Sequence, residues 1–432
     1  MSAQPQRRHS LTNLGGAVQT VGSPLEARDL AYALDVAAAT DAEDDSSRRH
    51  VHGFHSYPAR MHPDTACRLI QRFTLLGWRL LDPFCGSGTV LVEAKLHGRV
   101  PWGTDLNPLA VRLTRAKLHL RRPAEMEQVR RYAAQCSEFA DARRLRRAGA
   151  SRRYSDEDCR LFEPHVLLEL DSLRTKLEEL PENDPVRIDL SLVLSAMLVK
   201  FSRKLADTAG RLEQRRTAPG CVSRFFVQKT ADFLQRVGEF QDLCPAESVC
   251  SYVAVDDATG LRALPELPVD AIVTSPPYAG TYDYFTHHEL RLRWLGLEVA
   301  AFRRKELGSR AKYRRLPPID AHRAWAEELK RFLTAANHVL RVGGPLLIVI
   351  ADSAVGGQAL RADDLLGELA QPCGFRLIAR ASQPRRHFHG PTEAVFRRRP
   401  RREHVVLLEK LSPGIKRHTP SLGKANRIRS SE

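Results

Sequence analysis

Several signals that would assign this chain at a glance are missing. Its eight cysteines (67, 85, 136, 159, 221, 244, 250 and 373) form no Cys-x-x-Cys pair and have no histidines beside them at zinc spacing. That predicts reduced thiols, no disulfide framework and no structural metal. No apolar run approaches the ~20 residues a membrane span needs, so no membrane partner is expected. The opening stretch MSAQPQRRHSLTNLGG carries charge with no apolar segment behind it. It does not read as a secretory signal, and a cytoplasmic location is expected. Neither Gly-x-Gly-x-x-Gly nor a P-loop Gly-Lys-Ser/Thr is found, which sets aside nicotinamide-dinucleotide and nucleoside-triphosphate binding. There is no internal repeat. Acidic residues are the minority, 51 against 67 Lys and Arg, for a formal net charge of +16. Such an excess favours a polyanionic partner through long-range attraction and counterion release, the alternative being an Arg-rich solvated surface.

A chain of 432 residues can bury one large core or a core plus an inserted domain, and its pattern predicts the second. Residues 1–50 read as a mostly flexible N-terminal segment. Within it, 1–25 and 41–50 are too polar to pack as core, and LEARDLAYALDVAAA offers one helix. Residues 51–120 begin an α/β unit. HPDTACRLIQRFTLLG has helical apolar spacing with Asp64 as an N-cap candidate, and RLLDPFCGSGTVLVEAKLHG reads as strand, glycine loop and helix. A strand in RVPWGTDLN and a helix through PLAVRLTRAKLHL follow, giving the β-α-β-α run of a parallel sheet. Residues 121–248 are charged, helical in period and poor in strand signals, which predicts a helical insertion and a possible DNA-contacting region. Residues 249–410 return to strands at SYVAVDD, VDAIVTSPPY, GPLLIVIADS, FRLIAR and EHVVLLEK, making about seven in all. The basic stretch 411–432 reads as a disordered tail.

The loop Asp82-Pro83-Phe84-Cys85-Gly86-Ser87-Gly88-Thr89 lies between a strand and a helix. Its glycines let backbone approach a ligand with no Cβ in the way, and the helix start presents free N–H groups to an anionic or polar cofactor end. Asp105, at the end of the next strand, can accept hydrogen bonds from both ribose hydroxyls of an adenosine-containing cofactor, or else cap the helix after Asn107-Pro108.

DPFCGSGT resembles the cofactor motif of S-adenosylmethionine-dependent DNA amino-methyltransferases, the cytosine-N4 and adenine-N6 DNA methylases. Thr274-Ser275-Pro276-Pro277-Tyr278 resembles their catalytic motif. HSYPARMHP, with His55, Tyr57, Pro58 and Arg60, resembles the segment that closes over the methionine end of the cofactor. Asp257 matches their acidic residue for the adenine amino group, with Asp256 as its neighbour, and TYDYFTHHELRLRWLG resembles the stretch after the catalytic motif. The resemblance covers about 51–120 and 250–410. It implies a Rossmann-like methyltransferase sheet, mostly parallel with an antiparallel strand near the C-terminus. It also implies S-adenosylmethionine held by Tyr57, Asp82, Phe84, Gly86, Gly88, Thr89, Asp105 and Asp257, with Ser275, Pro276, Pro277 and Tyr278 as the catalytic set. Two features depart from the pattern. Ser-Pro-Pro-Tyr is most familiar where the catalytic motif comes first, and the helical insertion falls between the Asp105 and Asp257 strands.

An exocyclic base amine is a poor nucleophile because its lone pair is delocalised into the ring. The Ser275 hydroxyl and the Pro276 carbonyl, accepting its N–H hydrogens, would localise that pair and aim it at a methyl donor. Tyr278 would stack on a base extruded from the duplex. The expected reaction is methylation of a DNA base amine by a site-specific enzyme, cytosine N4 favoured. The rivals are adenine N6, an RNA base, and a catalytically silent DNA-binding protein that keeps the fold. The basic runs 143–153, 303–315 and 396–402 are candidates for phosphate contact. Phe225 and Phe226 read as helix core rather than stacking wedges, and His387 and His389 as loop residues that could border the pocket. A partner nuclease is undetermined.

Overall fold

Strands that are apolar on both faces must be covered on both sides by helices. The computed structural model, which describes residues 16–36, 45–205, 212–246, 250–385 and 393–412, arranges them as one eight-stranded sheet. Its strands are β1 (Gln19–Gly22), β2 (Arg79–Asp82), β3 (Val100–Asp105), β4 (Tyr252–Val255), β5 (Ala271–Thr274), β6 (Pro345–Ala351), β9 (Phe375–Pro384) and β10 (Arg402–Lys410), while β7 (Ser353–Val355) and β8 (Gln358–Leu360) form a separate hairpin. The order is β1-β9-β10-β6-β5-β2-β3-β4. Strands β6, β5, β2, β3 and β4 run parallel, β10 is antiparallel to β6 and β9, and β1 is antiparallel to β9. This is the Rossmann-like sheet expected, mostly parallel with antiparallel pairing near the C-terminus, and Leu80, Leu81, Ile272, Val273, Leu347 and Ile348 are fully buried at its centre.

All seven strands read from the sequence are present. The pattern did not show β1 or the β7–β8 hairpin, because all four β1 residues are exposed and carry no alternating apolar signal. What holds β1 is backbone pairing to β9, and Gly22 (φ +106°) fits there because a Cβ would lie 2.3 Å from the Ile378 carbonyl oxygen. The helix expected in the alanine-rich stretch spans Pro24–Leu34 and buries Ala27, Leu30, Ala33 and Leu34. The described part of the N-terminal segment therefore contributes both a strand and a packed helix. The tail beyond Ser412 lies outside the described residues. One helix start also differs: Pro63–Phe73 is capped by His62, whose Nδ1 accepts from the Asp64 backbone N–H, so Asp64 sits in the first turn instead of at the cap.

Long helices Pro123–Leu145, Pro164–Leu177, Pro185–Phe201 and Cys221–Leu243 form the insertion around a core that includes Leu170, Leu190, Phe226 and Phe233. Phe226 is core, as expected, and Phe225 packs edge-on to Phe201. Buried charges there are paired. Arg121 grips Asp189 with two hydrogen bonds of 2.8 and 2.6 Å, and the Glu169 carboxylate accepts from the backbone N–H groups of Gly220, Val222 and Ser223 at the start of the last helix. The insertion also braces the segment before the glycine loop. Ser195 meets His55 Nε2 at 2.8 Å, and Arg236 donates to the carbonyls of Arg48 and His50.

Candidate active site

From β2 the chain winds to β3 and β4 on one side, whereas β5 and β6 lie on the other. Such a reversal opens a crevice at the carboxyl ends of β2 and β5. The glycine loop leaves β2 there and the Ser-Pro-Pro-Tyr loop leaves β5. A single hydrogen bond ties the two: Thr274 Oγ1 donates to Asp82 Oδ1 at 2.6 Å, and the same oxygen accepts from Phe84 N at 3.1 Å. Burial pushes the Asp82 carboxyl up to about 7.

Gly86 (φ +50°) and Gly88 (φ +82°) both take the left-handed conformation, and Gly88 begins the helix Thr89–Leu96. A Cβ on Gly88 would lie 2.8 Å from Thr114 Oγ1, and one on Gly86 would lie 3.2 Å from the Tyr57 ring. Asp105 braces this loop, with Oδ2 accepting from Gly86 N and Oδ1 from Asn107 N, each at 2.8 Å. Asn107, not Asp105, caps the following helix by accepting from Leu109 N. Burial raises Asp105 to about 6. Tyr57 stacks on His288 with ring centroids 4.6 Å apart, and its hydroxyl accepts from Asn107 Nδ2 at 3.3 Å.

These loops line a cleft that opens to solvent. Tyr57, Asp82, Phe84, Gly86, Thr89, Asp105, Ser275 and Pro277 are on its wall, whereas Gly88, Pro276, Tyr278 and Asp257 are not. Asp257 stands one residue from Ala258, which does line the cleft. Asp257 Oδ1 accepts from Thr259 N and Oγ1, and Oδ2 lies 3.4 Å from Lys305 Nζ. Burial opposes its ionisation, but Thr259 and Lys305 outweigh that and hold its carboxyl below the usual range. Asp256 is consumed by backbone N–H groups of Asp257 and Ala263.

Tyr278 instead walls a smaller side pocket that shares Ala59, Arg60 and Met61 with the main cleft. Its hydroxyl donates to Glu403 Oε1 at 3.0 Å, and Glu403 Oε2 accepts from Arg385 Nε at 3.0 Å. Burial and Glu403 push the phenol well up, while the Ser275 hydroxyl pulls the other way. Sequence reading missed Glu403, and it also missed Glu306, which lines the cleft and accepts from the backbone of Tyr284 and Phe285 at the start of helix Tyr284–Trp294. Burial raises Glu306 to about 7. Apolar Leu307 inside the basic run 303–315, with Phe302 just before it, is the signal that could have shown this stretch to be a pocket wall, and both are buried.

The chemistry of the cleft suits S-adenosylmethionine. Ser87 Oγ and Thr89 Oγ1, at the helix start, are buried with no hydrogen-bond partner among the described residues, matching the polar amino-acid end of the cofactor. Asp82 and Asp105 place two carboxylates on the same wall.

The basic runs differ in availability. In 143–153, Arg143 pairs with Asp171, Arg144 with Asp141 and Arg152 with Glu178, leaving Arg146, Arg147 and Arg153 as exposed cations. In 303–315, Arg303, Arg304, Arg314 and Arg315 are exposed close in sequence to the cleft residues Phe302, Glu306 and Leu307. In 396–402, Arg397 and Arg398 are exposed, whereas Arg401 is buried and donates to the Asp352 carbonyl. His387 and His389 lie outside the described residues. No described helix is long and apolar enough to cross a membrane.

Comparison with known proteins agrees with this geometry. Residues 54–154 match the profile of the RMKL-like, methyltransferase domain. The chain is 26% identical over 277 residues to a type II methyltransferase, M.MvaI, of Kocuria varians, covering 59% of each chain. It is 23% identical over 290 residues to the type II methyltransferase M.BsoBI of Geobacillus stearothermophilus, covering 60% of this chain and 55% of that one. The chain thus spans between half and two-thirds of the length of these relatives. Among solved structures, TrmN from Thermus thermophilus aligns over 82% of this chain and 50% of its own, at 14% identity and a TM-score of 0.31.

Proposed function

We propose, for a chain that belongs to the S-adenosylmethionine-dependent methyltransferases and is related to type II methyltransferases, that it methylates an exocyclic amine of a DNA base, cytosine N4 in first place. The observation that carries this reading is the Thr274–Asp82 hydrogen bond, which sets the Ser-Pro-Pro-Tyr loop and the glycine loop against one cleft.

Bound in that cleft, S-adenosylmethionine supplies an electrophilic methyl group. The roles of the protein follow from its own groups. Asp105 and the Gly86 backbone hold the adenosine side, Ser87 and Thr89 receive the amino-acid end, Tyr57 covers it, and Asp257 turns towards the adenine amino group. Ser275 Oγ and the Pro276 carbonyl accept the two N–H hydrogens of the target amine and thereby localise its lone pair. Proline at 276 suits this task because it fixes φ and brings no N–H donor of its own. Tyr278, steadied through Glu403 and Arg385, offers its ring to the extruded base, a contact worth roughly 1–3 kcal/mol. A general base is unnecessary, since the methylated cationic amine is acidic enough to lose its proton to water.

Likeness to type II methyltransferases favours DNA, and the exposed arginines beside the cleft supply cations for its phosphates. Labelled methyl transfer from S-adenosylmethionine to DNA and, separately, to total RNA tests the proposal. Label in DNA alone is the expected result, and label confined to RNA overturns it. Cofactor binding without transfer to either would favour a silent DNA-binding protein.

A further inference from the structure

Away from the cleft, three side chains that methyl transfer does not use come together. His50 and His52 lie on the short turn His50–Gly53, and Glu93 projects from the helix Thr89–Leu96. They are 2%, 0% and 0% exposed. One ligand-capable atom from each lies within 4.8 Å of the other two, and His52 Nε2 is 2.8 Å from Glu93 Oε1. Among the described residues neither ring nitrogen of His50 has a hydrogen-bond partner, and nor does His52 Nδ1. Native interiors rarely leave buried polar atoms unpaired, and three in one cluster call for a function. His50 also holds φ at +36°, a strained left-handed backbone for a residue with a side chain. Such strain persists where the surroundings enforce it, often at functional sites.

We propose that His50, His52 and Glu93 bind one divalent transition-metal ion of the zinc type. Two imidazoles and a carboxylate are a donor set this borderline ion takes, whereas calcium and magnesium prefer all-oxygen cages. Both imidazoles are buried, and a neutral imidazole is the form that coordinates. Three cations face the cluster, among them Arg60, whose Nη1 donates to the His52 carbonyl. Arg49 Nη2 is 3.6 Å from Glu93 Oε1 with its side chain 46% exposed, so it can turn into water, and burial holds Lys117 well below the usual ammonium range. Beyond the carboxylate, His97 Nε2 lies 3.7 Å from Glu93 Oε2 and 3.0 Å from Cys67 Sγ. With Glu93 that pair forms a second group of equal compactness, but its members already bond each other, so they serve as outer support for the carboxylate.

The ion would fasten the turn at residues 50–53 to the helix that starts at the glycine loop. Tyr57, which covers Gly86, follows that turn directly. Metal occupancy therefore positions the cover of the cofactor cleft.

The test uses full-length untagged protein purified without chelator. Elemental mass spectrometry should find about one zinc-type ion per chain. After chelation and dialysis, calorimetric titration with Zn²⁺ or Co²⁺ should restore one site and raise the thermal midpoint again, and His52→Ala and Glu93→Gln should each abolish that binding. Should these variants misfold, the wild-type titration decides alone, with circular dichroism confirming that the chelated protein stays folded. Folded wild type that takes up neither ion, or variants that bind metal like wild type, would overturn the site. S-adenosylmethionine binding measured on the same samples separates the two readings, because normal cofactor binding by protein that takes no metal removes the metal site and leaves the methyltransferase intact.

Discussion

Replacing Asp105 by asparagine keeps the shape of the side chain and removes its second acceptor. The carboxylate receives the Gly86 and Asn107 backbone N–H groups on separate oxygens, each at 2.8 Å. An amide has one accepting oxygen, so one of those N–H groups would face an NH₂ donor in a buried place. Losing a hydrogen bond to a charged group costs about 1.5–3 kcal/mol, and the burial that already disfavours the charge returns part of it. A net loss of about 1.4–2.8 kcal/mol corresponds to a 10- to 100-fold rise in the Kd for S-adenosylmethionine. Asp105→Ala, which also removes the ribose acceptor, should cost at least as much. The assay is isothermal calorimetry near pH 8, above the carboxyl's value of about 6, with circular dichroism to confirm the fold. Variants that bind within about twofold of wild type, well below one hydrogen bond's worth, would refute the assignment of the glycine loop and Asp105 to the cofactor.

Burial holds Asp82 near 7 and Asp105 near 6, so a cationic ligand that prefers their charged forms expels protons on binding. The association constant should climb as pH rises to about 7 and level off above it, with proton release visible across buffers of different ionisation enthalpy, and a flat profile would contradict this. Ser275→Ala and Tyr278→Phe should lower kcat while leaving cofactor Kd within about twofold, Tyr278→Phe losing a hydrogen bond worth about 1 kcal/mol. Glu403→Ala should lower kcat too and also depress the thermal midpoint, because stripping a partner from the buried Arg385 costs up to about 3–5 kcal/mol. DNA affinity should fall by about 0.9 in log K per tenfold salt for each phosphate neutralised. Charge reversal of Arg303, Arg304, Arg314 and Arg315 should flatten that slope, and an unchanged slope would move the contact to other surfaces.

The parts of the site that were legible in the sequence are those built from consecutive residues. The glycine loop and Ser-Pro-Pro-Tyr each follow a buried strand, so pattern and motif coincide, and the parallel order of those strands brings the two loops together. Asp105 was legible from its distance along the chain, although its bonds to Gly86 and Asn107 were not. Glu403 is 125 residues from Tyr278 and sits on an antiparallel strand whose register alone decides which side chain meets the phenol. Glu306 was hidden inside a basic run, where charge drew attention away from Phe302 and Leu307. β1 escaped because an exposed edge strand is held by backbone hydrogen bonds and has no side-chain period. The cluster of His50, His52 and Glu93 escaped for a related reason: zinc spacing was sought around the cysteines, whereas this set joins a turn to a helix about 40 residues on.

The most direct test of the central claim is mass spectrometry of nucleosides from DNA of varied sequence incubated with the protein and saturating S-adenosylmethionine, alongside Ser275→Ala. The account predicts N4-methylcytosine with wild type and much less with the variant. Methyladenine alone would overturn the choice of cytosine, and DNA without any methylated nucleoside would contradict the enzyme reading.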